Sequence, residues 1–239
     1  MNPWSDEAIV LGSRKSNESN RVVFLLTRGH GRIAAAANGV RKTKSRIGAR
    51  LEPMNHVEVL VKPGRGLAVI DEVKLVTVHH RLHSDLARMS QGMAMLEAVD
   101  RITPDHEPVP EIFELLRRAL ATLDQQKSPL MLAAFYLKLL AVEGSAPQLG
   151  SCVGCGAAED LVGFDIVQGG TQCGSCRMGA PFSAQALDVL RMILGGNLRA
   201  ALDLGESPAV HEAHQMVMNM MEAHLERRIR SLGVFDRHL

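Results

Sequence analysis

The chain has 239 residues, of which 46% are hydrophobic and 22% charged, and these values indicate a globular protein with one large domain or two ordinary ones. No apolar stretch reaches the roughly 18 residues of a membrane span, and the N-terminus lacks a secretory signal, so we expect a cytoplasmic protein. The net charge of +1 conceals an asymmetry: residues 1–80 carry 13 Lys+Arg against 7 Asp+Glu, and residues 81–239 carry 14 against 19. The resulting charges of +6 and −5 favour a polyanionic partner for the first part of the chain.

The first eighty residues contain five apolar runs that are separated by Gly, Pro and Asn and predict short β-strands. The runs span residues 7–11, 22–26, 32–36, 52–61 and 67–78. Strands of this length and spacing fit a small barrel or a sandwich. Residues 29–34 read Gly-His-Gly-Arg-Ile-Ala and mimic a dinucleotide-binding fingerprint, but no βαβ unit follows, so we predict a hairpin turn there.

Aromatic residues are scarce in this part of the chain, where the rings available for base stacking are those of Trp4 and Phe24. Phe24 lies inside an apolar run, and we expect it in the core. Proteins that grip single strands usually stack bases on aromatic side chains. The sequence therefore predicts that this part of the chain holds nucleic-acid backbones more than bases.

A basic segment at residues 41–50 contains five cations and no acid, and it lies between two predicted strands as a loop or short turn. Such a density of like charge is self-repulsive unless an anion neutralises it, and phosphate backbones do so with release of counterions. The alternative is a solvated charged loop. The candidate DNA contacts are the cations of this segment and those beside the neighbouring strands: Arg14, Lys15, Arg28, Arg32, Arg41, Lys42, Lys44, Arg46 and Arg50.

From about residue 81 the spacing of apolar residues changes to the 3.6-residue period of an amphipathic helix. The first helix is predicted to carry one apolar face, made of Leu82, Leu86, Met89, Met93 and Leu96. Further helices are predicted over residues 111–123, 128–143, 183–194 and 209–232.

The change of period marks a predicted domain boundary, with a β domain over residues 1–80 and a helical domain over residues 81–239. An irregular segment at about 150–182 is inserted in the helical domain. We expect the histidines at the junction, His79, His80 and His83, to lie at the surface. In the last helix, adaptable core filling is predicted for Met216, Met218, Met220 and Met221.

All four cysteines lie in the irregular segment, in the pattern Cys152-x2-Cys155-x17-Cys173-x2-Cys176. Two Cys-x2-Cys turns allow four thiolates to converge on one tetrahedral ion, and such a shell leaves no position for a catalytic water. Two disulfides are the alternative, which a cytoplasmic chain disfavours. The pattern predicts one structural zinc ion that stabilises a short loop, and direct DNA contact by this ribbon is a second possible role. Positive φ angles are expected at the glycines of the turns, Gly154, Gly156, Gly174 and Gly179.

The sequence offers no convincing catalytic arrangement: we find no Ser/His/Asp set, no paired carboxylates and no phosphate-binding loop. His211 and His214 are three residues apart, whereas the zinc-protease signature places its histidines four apart. We therefore predict a protein without enzymatic activity.

The order and spacing of these motifs resemble those of the bacterial recombination mediator family RecO, essentially from end to end. The N-terminal likeness lies in the strand at 7–11, the basic signature at 38–46 with Leu51-Glu52-Pro53 after it, and the strand at 66–72. The C-terminal likeness lies in the helix at 135–140 that leads into the cysteine pattern, and in the closing helix at 224–232. One departure is Met54, which stands where the family's pattern leads us to expect an aromatic residue.

The resemblance implies an N-terminal OB-fold β-barrel followed by an all-helical domain that carries a zinc ribbon with four cysteine ligands. It implies a recombination mediator in DNA repair that binds single- and double-stranded DNA and anneals complementary strands. Members of the family work with RecR, and some with RecF, to load RecA on DNA coated with the single-strand-binding protein SSB, whose C-terminal tail they engage. The basic positions at 41–46 carry over as DNA contacts and the four cysteines as zinc ligands. Such a protein is expected to be cytoplasmic and nucleoid-associated.

Two other interpretations of the residues stay open. An RNA- or ribosome-binding protein with an OB barrel and a zinc ribbon shares the charge pattern, and a preference for structured RNA over single-stranded DNA would distinguish it. A nucleotide-dependent enzyme that uses the turn at Gly29 would reveal itself by nucleotide binding.

Overall fold

The computed structural model describes residues 2–225 with the exception of residues 17, 19, 41–45 and 65. The described residues form two compact units, which divide between Gln125 and Gln126. Across these residues, we find no helix with the length and apolar character that crossing a membrane requires. The first unit holds strands and helices together, and the boundary near residue 80 between a β domain and a helical domain stays a prediction.

The first unit is built around five strands and one short helix. They are β1 (Trp4–Lys15), β2 (Arg21–Thr27), β3 (Gly31–Ala37), α1 (Arg46–Arg50), β4 (His56–Lys62) and β5 (Ala68–Thr77). The strands close into a barrel in the order β1-β2-β3-β5-β4, in which β3 and β5 are parallel and the other neighbours antiparallel. This is the order of an OB-type barrel, so the predicted fold class is confirmed.

The first strand is longer than the predicted strand at residues 7–11, because Gly12 does not end it. The pairing of β1 with β2 shifts between Val10 and Gly12, which leaves Leu11 as the extra residue of a β-bulge. Glycine inside a strand commonly marks such a bulge. Beyond the bulge the strand continues to Lys15, so Arg14 and Lys15 lie at the end of the β1–β2 pair.

The interior of the barrel is filled by branched and small side chains, as the scarcity of aromatics requires. Buried there are Ala8, Val10, Val23, Leu25, Ile33, Ala35, Val57, Val59, Val61 and Val73. The prediction that Phe24 is a core residue is wrong, since its ring is only half-buried. Val23 and Leu25 point into the barrel, and the alternation of a β-strand places the residue between them on the outer surface.

Three helices complete the first unit: α2 (His80–Ser84), α3 (Leu86–Ile102) and α4 (Pro110–Gln125). The continuous helix predicted from residue 81 is interrupted at Asp85, whose side chain accepts hydrogen bonds from the backbone N–H groups of Ala87 and Arg88. This N-cap starts a new helix with its own apolar face. Leu86, predicted on the buried face, is therefore 59% exposed.

The end of α4 is joined to both α2 and α3. The Asp124 carboxylate on α4 accepts hydrogen bonds from the N–H groups of Arg81 and Leu82 in the first turn of α2. The buried guanidinium of Arg88 on α3 donates to the carbonyl groups of Leu123 and Asp124 at the end of α4. An anion at a helix N-terminus and a cation at a C-terminus both complement the helix dipole.

His79 is not a surface residue as predicted, because it is only 4% exposed, whereas His80 and His83 are exposed. Burial lowers the pKa of His79 below its ordinary value, and the nearby Asp124 carboxylate opposes this shift only in part. His56 at the start of β4 is also buried, and burial lowers its pKa although Glu7 lies beside it. Both side chains are therefore held in the neutral form near pH 7.

The second unit contains four helices and a small sheet. These are α5 (Met131–Val142), β6 (Leu161–Asp165), β7 (Gly170–Cys173), β8 (Ala180–Pro181), α6 (Ala184–Leu194), α7 (Leu198–Leu202) and α8 (Pro208–Leu225). The prediction that residues 150–182 are irregular is wrong, because they hold a sheet in the order β7-β6-β8. The predicted continuation of the last helix to residue 232 lies outside the described residues.

The methionines of α8 lie in the core of the second unit, as predicted. Their side chains are buried where α8 packs against α5 and α6: Met216, Met218, Met220 and Met221. Flexible thioether side chains fill such irregular spaces well.

Candidate metal centre and nucleic-acid interface

The four cysteine sulfurs meet in one cluster in the second unit. All four Sγ atoms lie within 4.8 Å of one another, and the Sγ atoms of Cys155 and Cys173 are 3.7 Å apart. In a tetrahedral shell with metal–sulfur bonds of about 2.3 Å, neighbouring sulfurs lie about 3.8 Å apart. The cluster therefore fits a single tetrahedral metal ion, and among the described residues no other group of His, Cys, Asp or Glu is arranged to hold one.

The small sheet fixes the two cysteine turns. Cys173 ends β7, and the N–H of Val153 in the first turn donates to the Thr171 carbonyl on the same strand. Gly156 has a φ of +79°, as predicted for its turn, but Gly154, Gly174 and Gly179 do not have positive φ angles. At Gly154 the reason for glycine is space, because a Cβ atom there would lie 3.4 Å from the Cys176 sulfur.

Hydrogen bonds from the backbone around the cluster favour the thiolate form of Cys152. Hydrogen bonds from the backbone of Cys173, followed by those of Cys155 and Gly154, lower the pKa of the Cys152 thiol to about 6. Hydrogen bonds to the sulfurs of Cys155 and Cys173 raise the pKa of Cys176, because closely spaced sulfurs disfavour a further negative charge. A bound cation would remove that penalty and hold all four groups as thiolates.

Two of the predicted DNA contacts lie together at the end of β1. Arg14 and Lys15 are exposed, and neither forms an ion pair with another described residue. Lys15 pairs in register with Arg21 on β2, which forms an ion pair of 3.1 Å with Glu52. This end of the β1–β2 pair thus carries uncompensated positive charge.

Arg32 is engaged within the protein. Its Nε lies 2.7 Å from Asp100 Oδ1 on α3, and its guanidinium also contacts Asp105 in the loop after α3. Burial opposes the charged form, but these two hydrogen bonds outweigh it, so the pKa of Arg32 is raised. A phosphate would have to compete with two carboxylates for this side chain, which is only 17% exposed.

The loop after α3 closes on the start of β3. The N–H of His106 donates to the Arg32 carbonyl over 2.9 Å. Gly31 has a φ of +70°, and a Cβ atom there would lie only 2.0 Å from the Glu107 carbonyl oxygen. The loop and the strand can approach this closely because residue 31 has no side chain.

Two further predicted contacts have described side chains, Arg28 and Arg50. Arg28, in the β2–β3 turn, is 60% exposed and lies 3.8 Å from Glu7. Arg50 at the end of α1 donates to the Val73 carbonyl on β5 over 2.7 Å. The predicted contacts Arg41, Lys42 and Lys44 lie outside the described residues, and only the backbone of Arg46 is described.

The outer face of β4 and β5 has the opposite electrostatic character. Lys62 lies 2.7 Å from Asp71, and Lys74 lies 3.7 Å from Glu58. Glu72 lies with Glu58 and Lys74 around a shallow depression. Because each described lysine here has an acidic partner, this face offers little net attraction to phosphate.

Two motifs that the sequence analysis discounted are structural. Residues 28–30 form the turn of the β2–β3 hairpin, which confirms that prediction. The polar residues of the second motif, on α8, each have a partner outside that helix. His211 contacts Glu206, and His214 contacts the Pro129 carbonyl. Glu212 accepts hydrogen bonds from Ser183. These contacts hold helix ends together and do not form a metal site.

The ion pairs of Arg32 could not be found from the sequence. Arg32 looks like any cation beside a strand, and its partners lie 68 and 73 residues further along the chain. For Phe24 a signal was present: alternation within residues 22–26 puts residue 24 on one face and its neighbours on the other. The apolar character of the run obscured it.

Fold and site together define a protein with an OB-type barrel, a helical region and a four-cysteine cluster that can hold a metal ion. Two family models match nearly the whole chain, "Recombination protein O N terminal" over residues 1–79 and "Recombination protein O C terminal" over residues 83–233. Relatives named "DNA repair protein RecO" are 40% identical in Streptomyces griseus, 36% in Bifidobacterium longum and 34% in Cutibacterium acnes. Each match covers 99% of this chain and 100% of the relative. The chain belongs to the RecO family of DNA repair proteins.

Proposed function

We propose that this chain is a recombination mediator that acts without catalysing a reaction. It binds single- and double-stranded DNA, anneals complementary strands and, with RecR and RecF, helps to load RecA on DNA coated with SSB. The observation that carries the proposal is the OB-type barrel whose β1–β2 end presents Arg14 and Lys15 without acidic partners among the described residues. The proposed contacts extend to Arg28 and, in the basic segment, to the cations at 41–46, with Arg50 at its end.

The mechanism of annealing is electrostatic. Two complementary strands repel each other through their phosphates, and cations on the barrel neutralise part of that charge when they replace condensed counterions. A strand held by its phosphates leaves its bases free to pair. Because the lysines of the β4–β5 face are paired with acids, DNA is expected to bind instead at the end of the β1–β2 pair, where Arg14 and Lys15 lie.

We propose that the cysteine cluster holds one structural Zn²⁺ through Cys152, Cys155, Cys173 and Cys176. Four thiolates suit zinc and leave no open coordination position, so the ion would stabilise the fold of the ribbon and take part in no reaction. The domains proposed are a nucleic-acid-binding barrel at 1–80 and a helical domain at 81–239 with the ribbon at about 150–182. The helical domain is the proposed place for RecR and for the C-terminal tail of SSB, in the nucleoid of the cell.

The test is the salt dependence of single-strand binding in two charge-matched variants. Arg14→Ala/Lys15→Ala removes two cations that lack partners, and Lys62→Ala/Lys74→Ala removes two that are paired with acids. Removal of one phosphate contact on a single strand should reduce the slope of log K against log salt by about 0.7. We expect the slope to fall by roughly 1.4 units in the first variant and to stay almost unchanged in the second. Equal reductions in the two variants would contradict the assigned face.

A further inference from the structure

The β1–β2 pair ends on two cations that stand opposite each other. Lys15 at the end of β1 is in register with Arg21 at the start of β2, so their side chains belong to the same face of the sheet. Like charges placed directly opposite in an antiparallel pair repel each other. Lys15 is exposed and forms no ion pair with a described residue, whereas Nη1 of Arg21 lies 3.1 Å from Glu52 Oε1. An acid therefore occupies one of the two neighbouring cations.

Glu52 belongs to a short segment, residues 51–55, whose backbone is fixed to the barrel. The N–H of Met54 donates to the Val10 carbonyl on β1 over 2.9 Å. The N–H of Val10 donates in return to the Asn55 carbonyl over 3.0 Å. This pairing holds the segment against β1, so the carboxylate of Glu52 is kept beside its arginine although its side chain is half-exposed.

The contact with Glu52 uses the group that a phosphate would need. Arginine binds carboxylate and phosphate through the same N–H donors, and the Arg21 side chain is 31% exposed, so an incoming strand can reach it. The ion pair itself contributes little to stability, because both of its partners are open to water. A phosphate at Arg21 would, however, meet the negative charge of Glu52 at close range. The acid therefore lowers the affinity of this end of the barrel for a polyanion.

Two comparisons within the barrel show what is particular to this pair. Glu18, in the loop that joins β1 to β2, is also an exposed acid, but it forms no ion pair with a described residue and so blocks no arginine. Arg32 also has acidic partners, Asp100 and Asp105, but its side chain is only 17% exposed and joins β3 to α3. Arg21 combines an acidic partner with access from the solvent.

We propose that Arg21 is a further phosphate-binding residue that Glu52 holds in reserve, so that Glu52 limits the affinity of the barrel for single-stranded DNA. The proposal rests on the proposed function, since it needs a strand at this end of the β1–β2 pair. Removal of the Glu52 charge adds a third cation to the contact that Arg14 and Lys15 form. The ion pair is thus an autoinhibitory contact on the surface of the barrel.

The experiment measures the binding of oligothymidine over a series of salt concentrations for the wild type, Glu52→Gln, Arg21→Gln and the double variant. We expect Glu52→Gln to bind roughly three- to tenfold more tightly than the wild type at low salt. Its slope of log K against log salt should become steeper by about 0.7, the value of one additional phosphate contact. The double variant should return to the slope of the wild type, because it has no arginine to release. Glu18→Gln removes the same charge from the same end of the barrel, and it should leave the slope unchanged.

The double variant and the Glu18 control distinguish a released contact from a general change of charge. An equal gain from Glu52→Gln with and without Arg21, or an equally steeper slope in Glu18→Gln, would overturn the proposal, because the loss of any acid would then suffice. Misfolding cannot imitate the expected result, since Glu52→Gln is expected to gain affinity.

The same measurements separate this proposal from the proposed function. If the wild type does not bind oligothymidine, the proposed function itself fails. If the wild type binds and Arg14→Ala/Lys15→Ala reduces the salt slope, but Glu52→Gln changes neither affinity nor slope, the proposed function stands and the reserve contact at Arg21 is refuted.

Discussion

At the residue scale, the roles of the cations depend on their partners more than on their charge. The guanidinium groups of Arg14 and Arg32 both lie over the ring of Phe24, but Arg32 has two carboxylate partners and Arg14 has no ion pair among the described residues. The sequence predicted both as DNA contacts. The structure supports a phosphate contact at Arg14 more strongly, and it gives Arg32 a structural role between β3, α3 and the loop after α3.

We predict that Arg32→Gln lowers the stability of the protein more than it changes DNA binding. The substitution leaves two carboxylates without their cation, and we expect a decrease of about 1–2 kcal/mol in the free energy of unfolding. Denaturant titration measures this decrease, and the salt slope of single-strand binding should stay that of the wild type. A salt slope reduced by the amount of a full phosphate contact, with unchanged stability, would instead place Arg32 among the DNA contacts.

The buried histidine at the junction of barrel and helices predicts a dependence of stability on pH. The pKa of His79 is lowered in the folded state, so between that pKa and the ordinary value near 6.5 the unfolded chain binds more protons. Stability should therefore fall as the pH decreases below about 6.5. His79→Gln should make the decline in Tm between about pH 7 and pH 5.5 shallower, and an unchanged decline would contradict the assignment.

At the element scale, the sequence predicted the type and order of most helices and strands. It could not predict their ends where a single residue changes the geometry. Asp85 separates α2 from α3, because its carboxylate caps the N-terminus of α3. The strand β1 continues past Gly12, because the β-bulge next to this residue preserves the pairing with β2. The strands within 150–182 were missed because they are only two to five residues long, which is too short for an alternating pattern to stand out.

The cap that Arg88 of α3 provides for the end of α4 should be important for the first unit. Arg88 is 8% exposed and donates to two carbonyl groups, so Arg88→Met should leave both acceptors buried without a donor. We expect a decrease of about 2 kcal/mol in the free energy of unfolding, measured by denaturant titration. Arg118→Met, which removes an exposed arginine from α4, is the matched control and should change stability by less than about 0.5 kcal/mol. Equal effects of the two substitutions would contradict the role assigned to Arg88.

The ribbon is the element that should depend on metal. Its short strands bury little apolar surface, so the proposed zinc ion would contribute much of its folding energy. Metal analysis should give about one zinc per chain, and Cys173→Ser should release it and become sensitive to proteolysis within residues 150–182. Single-strand binding by the barrel should remain; a well-folded Cys173→Ser variant that had lost only DNA binding would contradict a purely structural role.

At the scale of the whole molecule, the four-cysteine cluster was predictable from the spacing of the cysteines, and the OB-type barrel was predictable from the resemblance along the chain. The electrostatic division of the barrel was not, since it arises from pairs such as Lys62–Asp71 that only the closed sheet brings together. This division would allow a chain with a net charge of +1 to bind DNA in the proposed way. The positive charge is concentrated at the end of the β1–β2 pair, whereas the lysines of the β4–β5 face are paired with acidic residues.

The central claim is that this barrel brings complementary strands together, and annealing of complementary single strands coated with SSB tests it most directly. The wild type is compared with a variant that carries Ala at Arg41, Lys42, Lys44 and Arg46, over a series of salt concentrations. We predict that the wild type anneals the strands, and that the variant fails and shows a salt slope reduced by about 0.7 for each phosphate that it no longer binds. A wild type that neither binds nor anneals these strands, or a variant that anneals as well as the wild type, would contradict the account.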